Sequence, residues 1–407
     1  MATISAIRKS FSITPGFLAW LAFVGLCLLI GIITAIAVFT EGLGITNMSD
    51  TVPWGLWITI DLSAIALGAG AFTLSAFVYL FNIKDFRPIV RLAVLVGFIG
   101  YTSALLTLVM DIGRPDRFWH PWVFWNVHSV LWEITWCITI YLTILIFEFA
   151  PVVAESQLFA RWPWVRAVAH VMHKVAPALA LMGLFISLLH QSSLGATYGI
   201  VKSRPIWFKP SMPIMFILSA VAVGPALTMA LAVVLEWVTG KKTIPYQTIR
   251  SIARFSGFAL MAYAYIKLWD LAAATYYGQT PGVNSAFDLL NQFTPYQFSF
   301  WVIEVLLGIV IPAIIFLTPR FNKNPANLVL GAFLAVLGIL FNRWNTTVTG
   351  LYVPLSYSPG TLYQSPVGTY SPNIVEWGIA VGIIGYALLM FTLGVRYLPL
   401  FDRKTSH

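Results

Sequence analysis

Charged side chains are scarce in this chain. They make up 10% of its 407 residues, whereas 59% are hydrophobic and the mean hydropathy is +0.82. A soluble domain carries about 25% charged residues, so the composition excludes an ordinary soluble protein. Long apolar runs recur instead, and about 20 such residues span a membrane as one helix. Because these runs do not alternate with polar residues, an outer-membrane β-barrel is also excluded.

Cysteine is nearly absent as well. Cys27 and Cys137 both lie inside apolar runs, and no Cys-x-x-Cys motif occurs. The chain therefore lacks the thiolate sets that hold iron–sulfur clusters or structural zinc. Its six histidines do not supply a facing pair for a b-type haem. We expect no haem, no iron–sulfur cluster and no other metal site in this chain.

The apolar runs predict an all-α integral membrane protein with ten transmembrane helices in one polytopic domain over 1–407. An uncharged loop, 346–373, precedes the last helix. The loop is rich in Pro, Tyr, Ser and Gly, which fits either a docking surface or lid, or a plain cover over helix ends. The predicted helices lie near 17–40, 54–82, 89–112, 123–150, 174–198, 211–238, 247–275, 296–318, 326–345 and 374–398.

The distribution of basic residues predicts the orientation. An even number of helices puts both termini on one side, and seventeen of the 24 Lys and Arg residues fall on that side. The positive-inside rule then places both termini in the cytoplasm. This topology also explains the net charge of +9 without a polyanionic partner, so we expect no nucleic-acid binding. The six basic residues on the opposite side are Arg114, Arg117, Lys202, Arg204, Lys209 and Arg343.

Ionisable residues inside the predicted helices crowd toward the outer side. A charge within a bilayer is costly unless it is paired or hydrated, so such residues usually mark a site or a proton path. Asp61, Glu133 and His190 come from helices 2, 4 and 5, with Glu133 expected deepest, near mid-membrane. A buried carboxyl there suits proton exchange, and His190 suits a hydrogen bond to a ligand oxygen. We predict a polar pocket that opens outward.

Aromatic residues and one histidine extend this candidate site. Trp54 and Trp57 precede Asp61 in the segment PWGLWITID, and Trp125 and His128 precede Glu133. The tryptophans suit an interface belt or the wall of a binding site. His128 is included as a candidate binding residue, although its spacing turns it about 140° from Glu133 on a straight helix. The neighbouring run LGAGAF predicts close helix packing rather than a phosphate loop.

A possible proton path continues along helix 4 below Glu133. Cys137, Tyr141 and Glu148 follow at spacings of four, four and seven, which keeps them close to one helix face. They could carry protons from the cytoplasm, or Tyr141 and Glu148 could be interfacial anchors.

The second half of the chain has its own ionisable group. Lys267, Glu304 and Arg343 lie in predicted helices 7, 8 and 9. They either neutralise one another or form a second path.

Several of these segments resemble the NrfD/PsrC (polysulfide reductase membrane subunit) family. The match is best to its ten-helix branch, which includes HybB-type subunits of uptake hydrogenases and QrcD-type subunits of quinone reductase complexes. The matching stretches reach from helix 2 to helix 8. They are PWGLWITID (53–61), GYTSALLTLVMDIGR (100–114), NVHSVLWE…EFAP (126–151), LHQSSLG (189–195) and FWVIEVLLG (300–308).

The resemblance implies two four-helix bundles, 54–198 (helices 2–5) and 211–345 (helices 6–9), flanked by helices 1 and 10. It implies a haem-free subunit of the bacterial cytoplasmic (inner) membrane. Quinone, expected to be menaquinone, would bind in the first bundle near the periplasmic face, where Asp61, Glu133 and His190 match polar positions of the family.

The resemblance also implies partners. A periplasmic, ferredoxin-like iron–sulfur subunit would exchange electrons with the quinone. A larger periplasmic redox subunit, such as a molybdopterin-family protein, a hydrogenase or a multihaem cytochrome c, would complete the respiratory oxidoreductase complex. The alternative is a secondary transporter or ion channel with Lys267, Glu304 and Arg343 in its path. A transporter would be active alone, whereas a quinone-reactive subunit should copurify with redox subunits.

The charge count makes a testable prediction of topology. A C-terminal fusion to a reporter that works only in the cytoplasm should be active, and the same fusion to a periplasm-specific reporter should be silent. Activity of the periplasmic reporter would invert the membrane orientation and turn the pocket toward the cytoplasm.

Overall fold

The described part of the chain is helical throughout. A computed structural model describes residues 14–156, 162–202, 204, 206–273, 290, 294–352 and 370–401, and no β-strand occurs among them. Ten long helices form the molecule: α1 (Pro15–Glu41), α2 (Leu56–Tyr79), α3 (Arg87–Asp111), α4 (Val130–Ala154), α5 (Pro163–Gly199), α6 (Met212–Thr239), α7 (Tyr246–Ala272), α8 (Pro295–Leu317), α9 (Pro325–Thr347) and α10 (Ile374–Tyr397).

Nine of these helices in the described ranges are long and apolar enough to cross a membrane. The other is α7, which is 27 residues long but carries Arg250, Arg254, Lys267 and Asp270. Since a helix rises 1.5 Å per residue, its length still matches a bilayer. The predicted all-α membrane fold is confirmed.

Successive helices run in opposite directions. One end of the molecule therefore collects the ends of α1, α3, α5, α7 and α9 and the starts of the other five. We call it the charge-poor end, because it carries six of the 24 Lys and Arg residues, and we call the opposite one the basic end.

The helices pack as two groups of four. Helix α2 packs on α3, α3 on α4, α4 on α5, and α5 returns to α2. Helices α6, α7, α8 and α9 close a second ring in the same way. The two rings meet where α2 packs on α6 and α9 and where α5 packs on α6. Helices α1 and α10 form a pair at the side, and α10 leans on α3.

Two predicted helix boundaries were wrong. Helix α4 begins at Val130 rather than at 123, because Ser129 caps it by accepting a hydrogen bond from the Trp132 N–H at 3.3 Å. Glu133 therefore lies in the first turn of α4, and its expected position near mid-membrane is wrong. Helix α5 begins at Pro163, eleven residues earlier than predicted, since its first three turns are too polar to register as a membrane span.

Small residues bring α2 and α6 into backbone contact, as the run LGAGAF predicted. Helix α2 is interrupted at Ala69, between Leu56–Gly68 and Gly70–Tyr79. A Cβ on Gly224 of α6 would lie 2.2 Å from the Gly70 nitrogen, and one on Gly70 would lie 2.7 Å from the Gly224 carbonyl oxygen. The two rings are thus held together at a contact that admits no side chain.

This contact predicts a difference between two glycine variants. Gly224→Ala should lower the free energy of unfolding by about 1–3 kcal/mol, because the new methyl group must push the α2 backbone away. Gly25→Ala in α1, where nothing lies within 4 Å, should be neutral or slightly stabilising. Thermal unfolding of both purified variants in one detergent checks this. Equal melting temperatures would show that the rings can separate without cost.

Candidate functional site

His190 lies at the centre of the first ring. It is 0% exposed, and neither ring nitrogen has a hydrogen-bond partner among the described residues. Its ring centroid is 5.9 Å from that of Tyr101 on α3, and the Tyr101 ring is in turn 4.4 Å from that of Tyr141 on α4. The Ser187 hydroxyl lies close to both tyrosine hydroxyls without meeting hydrogen-bond geometry. A histidine and three hydroxyls thus surround one buried point.

Buried polar atoms without partners are concentrated around this point. An orphaned buried donor or acceptor costs roughly 1–3 kcal/mol, and folded proteins rarely keep several together. Water or a polar ligand is the usual means of satisfying such groups. Within the described residues, ten such atoms come from α2, α3, α4 and α5: Asp61 Oδ1, Ser75 Oγ, Tyr101 Oη, Ser103 Oγ, Asp111 Oδ1, Tyr141 Oη, Ser187 Oγ, His190 Nδ1, His190 Nε2 and Gln191 Oε1.

Asp61 enters this region from α2. It is 6% exposed, and its Oδ1 has no partner among the described residues. It lies close enough to Asp111, the last residue of α3, for their charges to repel. The predicted position of Asp61 in the first bundle is therefore what the structure has, and Asp111 is an addition to the site.

Glu133 lies beside this region, at the charge-poor end of α4. Ser193 Oγ on α5 donates a hydrogen bond of 2.6 Å to Glu133 Oε1, and Cys137 Sγ lies 3.5 Å from the same oxygen. The Glu133 side chain is half-buried. The sequence analysis singled out His190 and missed Ser193, although both belong to the polar run HQSS.

Trp54 is the one predicted tryptophan that faces the joint between the two rings. It stacks on Trp207 at 5.9 Å and meets the edge of Tyr198 at 5.7 Å. Tyr198 is close to Asp61. These three rings form a wall beside Asp61 at the charge-poor end, and we call them the aromatic wall.

The other predicted aromatic residues lie elsewhere. Trp57 is 1% exposed, and its Nε1 donates to the Glu376 carbonyl oxygen at 3.1 Å, so it anchors α2 to α10 instead of lining the site. Trp125 is 66% exposed and packs on Trp132 and Trp136. His128 is exposed in the turn before α4. The structure thus places Trp57, Trp125 and His128 away from the group around His190, the last two because α4 starts after them, and their part in a binding site stays a prediction.

The predicted path along α4 reaches a cavity at the basic end. Cys137 and Tyr141 are buried. Glu148 lines a cavity of about 110 Å³ between the basic ends of α2, α3, α4 and α5, together with Ser75, Arg87 and Arg91. A carboxyl group therefore lines this cavity, and a buried tyrosine two turns away on the same helix contacts Tyr101, which in turn lies beside His190.

The ionisable residues of the second ring are joined directly. Lys267 Nζ contacts Glu304 Oε1, which also accepts from Asn342 Nδ2 at 2.8 Å, and Glu304 Oε2 accepts from Asn345 Nδ2 at 3.0 Å. Both oxygens of Glu304 are thereby satisfied. Glu304 lies in a π-helical stretch, Ser299–Val310, of a kind often found at functional positions.

Arg343 lies next to this pair. It donates to Asn342 Oδ1 at 2.8 Å and to Ser219 Oγ at 2.9 Å, and its guanidinium lies 3.7 Å from the centre of the Phe216 ring. Its Nε has no partner among the described residues. The structure thus brings Lys267, Glu304 and Arg343 together, whereas their role in a second path stays a prediction.

The ends of the uncharged loop 346–373 are fastened to the charge-poor end. Residues 353–369 lie outside the described part of the chain. Tyr352 Oη donates to the Tyr370 carbonyl oxygen at 2.7 Å. Tyr370 Oη accepts from the Leu56 N–H at 2.9 Å and donates to Glu376. Burial raises the pKa of Tyr370, which keeps this hydroxyl protonated.

Metal ligands are a separate question. Over the residues that the structure describes, no three or more His, Cys, Asp or Glu side chains are arranged to hold a metal ion.

Comparison with known proteins supports the resemblance seen in the sequence. The family model "Polysulphide reductase, NrfD" matches residues 44–354. The menaquinone reductase integral membrane subunit of Nitratidesulfovibrio vulgaris is 37% identical, over 96% of this chain and 93% of that protein. A selenate reductase subunit of Mesobacillus selenatarsenatis is 26% identical, over 92% of each.

A third relative comes from an archaeon. The Hdr-like menaquinol oxidoreductase integral membrane subunit of Archaeoglobus fulgidus is 25% identical, over 90% of each chain. The matches cover nearly the whole length of this chain, and the family model spans both rings of helices. The chain belongs to the NrfD polysulphide reductase family of integral membrane proteins.

Proposed function

We propose that this chain is the quinone-reactive membrane subunit of a periplasm-facing respiratory oxidoreductase complex. The observation that carries the proposal is the set of ten unpartnered buried polar atoms in α2–α5 of the described chain, which includes both ring nitrogens of His190. A quinone head group is mostly apolar and has two carbonyl oxygens on opposite sides. It could therefore be held among apolar helices by a few polar groups at its two ends.

The chemistry of these groups suits both forms of such a substrate. A quinone oxygen accepts a hydrogen bond, whereas the quinol hydroxyl donates one. Neutral histidine has one donor and one acceptor nitrogen, and tyrosine and serine hydroxyls do both. His190, Tyr101, Tyr141 and Ser187 could thus hold one end of the ring in either redox state, and Asp61 could orient or protonate the other end. The relatives named as menaquinone reductase and menaquinol oxidoreductase subunits support menaquinone as the substrate.

Electrons would come from a partner at the charge-poor end. Reduction takes two electrons and two protons, and forms one O–H bond at each quinone oxygen. We propose that a periplasmic, ferredoxin-like iron–sulfur subunit supplies the electrons and in turn exchanges them with a larger periplasmic redox subunit. The position of Asp61 and of the aromatic wall near this end supports a partner on that side. If the charge-poor end faces the periplasm, both termini lie in the cytoplasm.

Protons would reach the site from the basic end. Glu148 lines the cavity there, and Tyr141 links that side of the bundle to Tyr101 and His190 through ring contacts. Waters in the cavity would give Glu148 its protons, and the hydroxyls of Tyr141 and Tyr101 would pass them on. Glu133, bound to Ser193, is a further candidate for proton exchange beside the site.

If the chain were a secondary transporter or ion channel, the path of the transported ion would run through the second ring. The satisfied oxygens of Glu304 argue against it, because a carboxylate with three donors has little to offer a passing ion. The quinone function is therefore the one that the geometry supports best.

The first test replaces His190. His190→Ala in the full-length chain should weaken binding of a menaquinone analogue about tenfold, since a buried hydrogen bond contributes about 1.4 kcal/mol. Turnover of the purified complex should fall with it. His170→Ala, an exposed histidine of the same helix, is the matched control and should bind normally. Unchanged binding by the His190 variant would remove it from the site.

The second test replaces Glu148. Glu148→Gln keeps the shape and hydrogen bonding of the side chain but cannot release a proton, so turnover should fall at least about tenfold while quinone binding stays within about twofold. A pH-sensitive dye on the cytoplasmic side of proteoliposomes should report less proton uptake. Asp85→Asn, an exposed acid at the basic end that does not line the cavity, serves as the control. A normal rate for Glu148→Gln would exclude this route.

A further inference from the structure

A second, half-buried carboxyl lies between Asp61 and the charge-poor end. Asp111 is the last residue of α3, and its Oδ1 is a buried atom without a hydrogen-bond partner among the described residues. Asp61 Oδ1 has the same property, and Asp61 is more than nine-tenths buried. The two side chains lie within electrostatic range of one another. A pair of acids thus connects the polar centre of the first ring to its charge-poor end.

Basic residues do not compensate these acids. None of the ion pairs within the described part of the chain includes Asp61 or Asp111. The basic residue that follows in sequence, Arg114, is engaged elsewhere: its Nε and Nη2 donate to the two oxygens of Asp116, both at 3.0 Å. Asp111 also lies at a helix C-terminus, where the backbone dipole is unfavourable to a negative charge.

Glu376 is a third carboxyl, on the other side of Asp111, and its oxygens already accept hydrogen bonds. Glu376 accepts hydrogen bonds from the Tyr370 hydroxyl, from Asn47 N–H at 3.1 Å and from Asn373 N–H at 3.0 Å. Its two carboxyl oxygens therefore have three donors, and it lies within electrostatic range of Asp111. Asp61 and Asp111 thus lie within electrostatic range of one another, and no ion pair in the described part of the chain neutralises either. Two carboxyl groups in that arrangement favour sharing one proton.

We propose that Asp61 and Asp111 form a proton-sharing pair that exchanges one of the two protons of quinone chemistry with the charge-poor side, while the Tyr141–Glu148 route serves the other. This inference rests on the proposed function. It adds Asp111 to the residues that act on the reaction, and it assigns the two protons to opposite sides of the membrane.

Reduction of one quinone consumes two electrons and two protons. Two electrons come from the partner's iron–sulfur centre. The quinone oxygen that faces α2 takes the proton of the Asp61 carboxyl, so that one O–H bond breaks and one forms. Asp111 then passes its proton to Asp61, and water at the charge-poor end reprotonates Asp111. The second oxygen is protonated from the basic end, and quinol oxidation runs each transfer in reverse.

The experiment follows the protons on both sides. The complex, purified with the full-length chain and its copurifying subunits, is placed in proteoliposomes with impermeant pH dyes inside and outside. The wild type should exchange about one proton per quinone on each side. Asp111→Asn should lose the exchange on the charge-poor side, slow turnover at least about tenfold, and bind a menaquinone analogue within about twofold of the wild type.

Two further variants and one spectrum show whether an effect of Asp111→Asn comes from loss of the exchangeable proton. Asp50→Asn removes an exposed acid at the same end and should change nothing. Asp111→Glu keeps a carboxyl and should restore much of the rate, which a purely structural role for the side chain would not predict. If Asp111→Asn fails to fold, an infrared difference spectrum of the wild type between its quinone and quinol states replaces it, and should show a change in a protonated carboxyl.

The contradicting outcomes are separate from those of the proposed function. Wild-type rate and unchanged proton exchange in Asp111→Asn, both protons taken from one side in the wild type, or an infrared spectrum without a carboxyl change would each overturn the pair. Quinone binding would still be intact in all three cases. A wild-type chain that binds no quinone analogue would instead overturn the proposed function itself.

Discussion

The interior of the first ring depends on one constraint: buried polar groups must find hydrogen-bond partners. Ten atoms in α2–α5 have none among the described residues. In a membrane the lipid cannot supply partners through the sides of the bundle. Partners must therefore come along the axis, as water or ligand from either end. The polar cluster around His190, the Glu148 cavity and the Asp61–Asp111 pair are successive parts of such an axis.

In the second ring, neighbouring side chains supply the hydrogen-bond partners of the buried ionisable groups. Glu304 is bound by Lys267, Asn342 and Asn345, and Arg343 is bound by Asn342 and Ser219. Similar numbers of ionisable groups are buried in both rings. Those of the second ring bind one another and neighbouring amides, whereas Asp61 and His190 of the first ring have atoms without partners among the described residues. Removing one partner of a buried pair is costly, so this network also holds α7, α8 and α9 in register. The candidate site in the first ring therefore differs from the second ring in whether its buried polar atoms have hydrogen-bond partners, more than in the presence of charge.

The sequence predicted the fold, and it selected side chains of the candidate site whose role stays a prediction, for clear physical reasons. Apolar length located all ten helices, and the cost of a buried charge located Asp61 and His190. Hydropathy cannot place a helix start, however, and so Glu133 was predicted too deep and Trp125 and His128 were placed on a helix. Ser193 and Tyr101 were missed because hydroxyls are common in membrane helices, and their importance depends on which side chains lie opposite them.

Trp57 shows why helix spacing alone does not decide what a side chain does. It lies four residues before Asp61 on α2, on nearly the same face. Side chains lean toward the helix N-terminus, so its indole reaches up to the Glu376 carbonyl of α10 instead of down to the site. Tyr370 binds the first N–H of α2 and the Glu376 carboxyl together. Helix α10 thereby fixes the height of α2, and with it the position of Asp61 relative to Asp111. A helix that flanks the bundle thus sets the geometry on which proton exchange at the charge-poor end would depend.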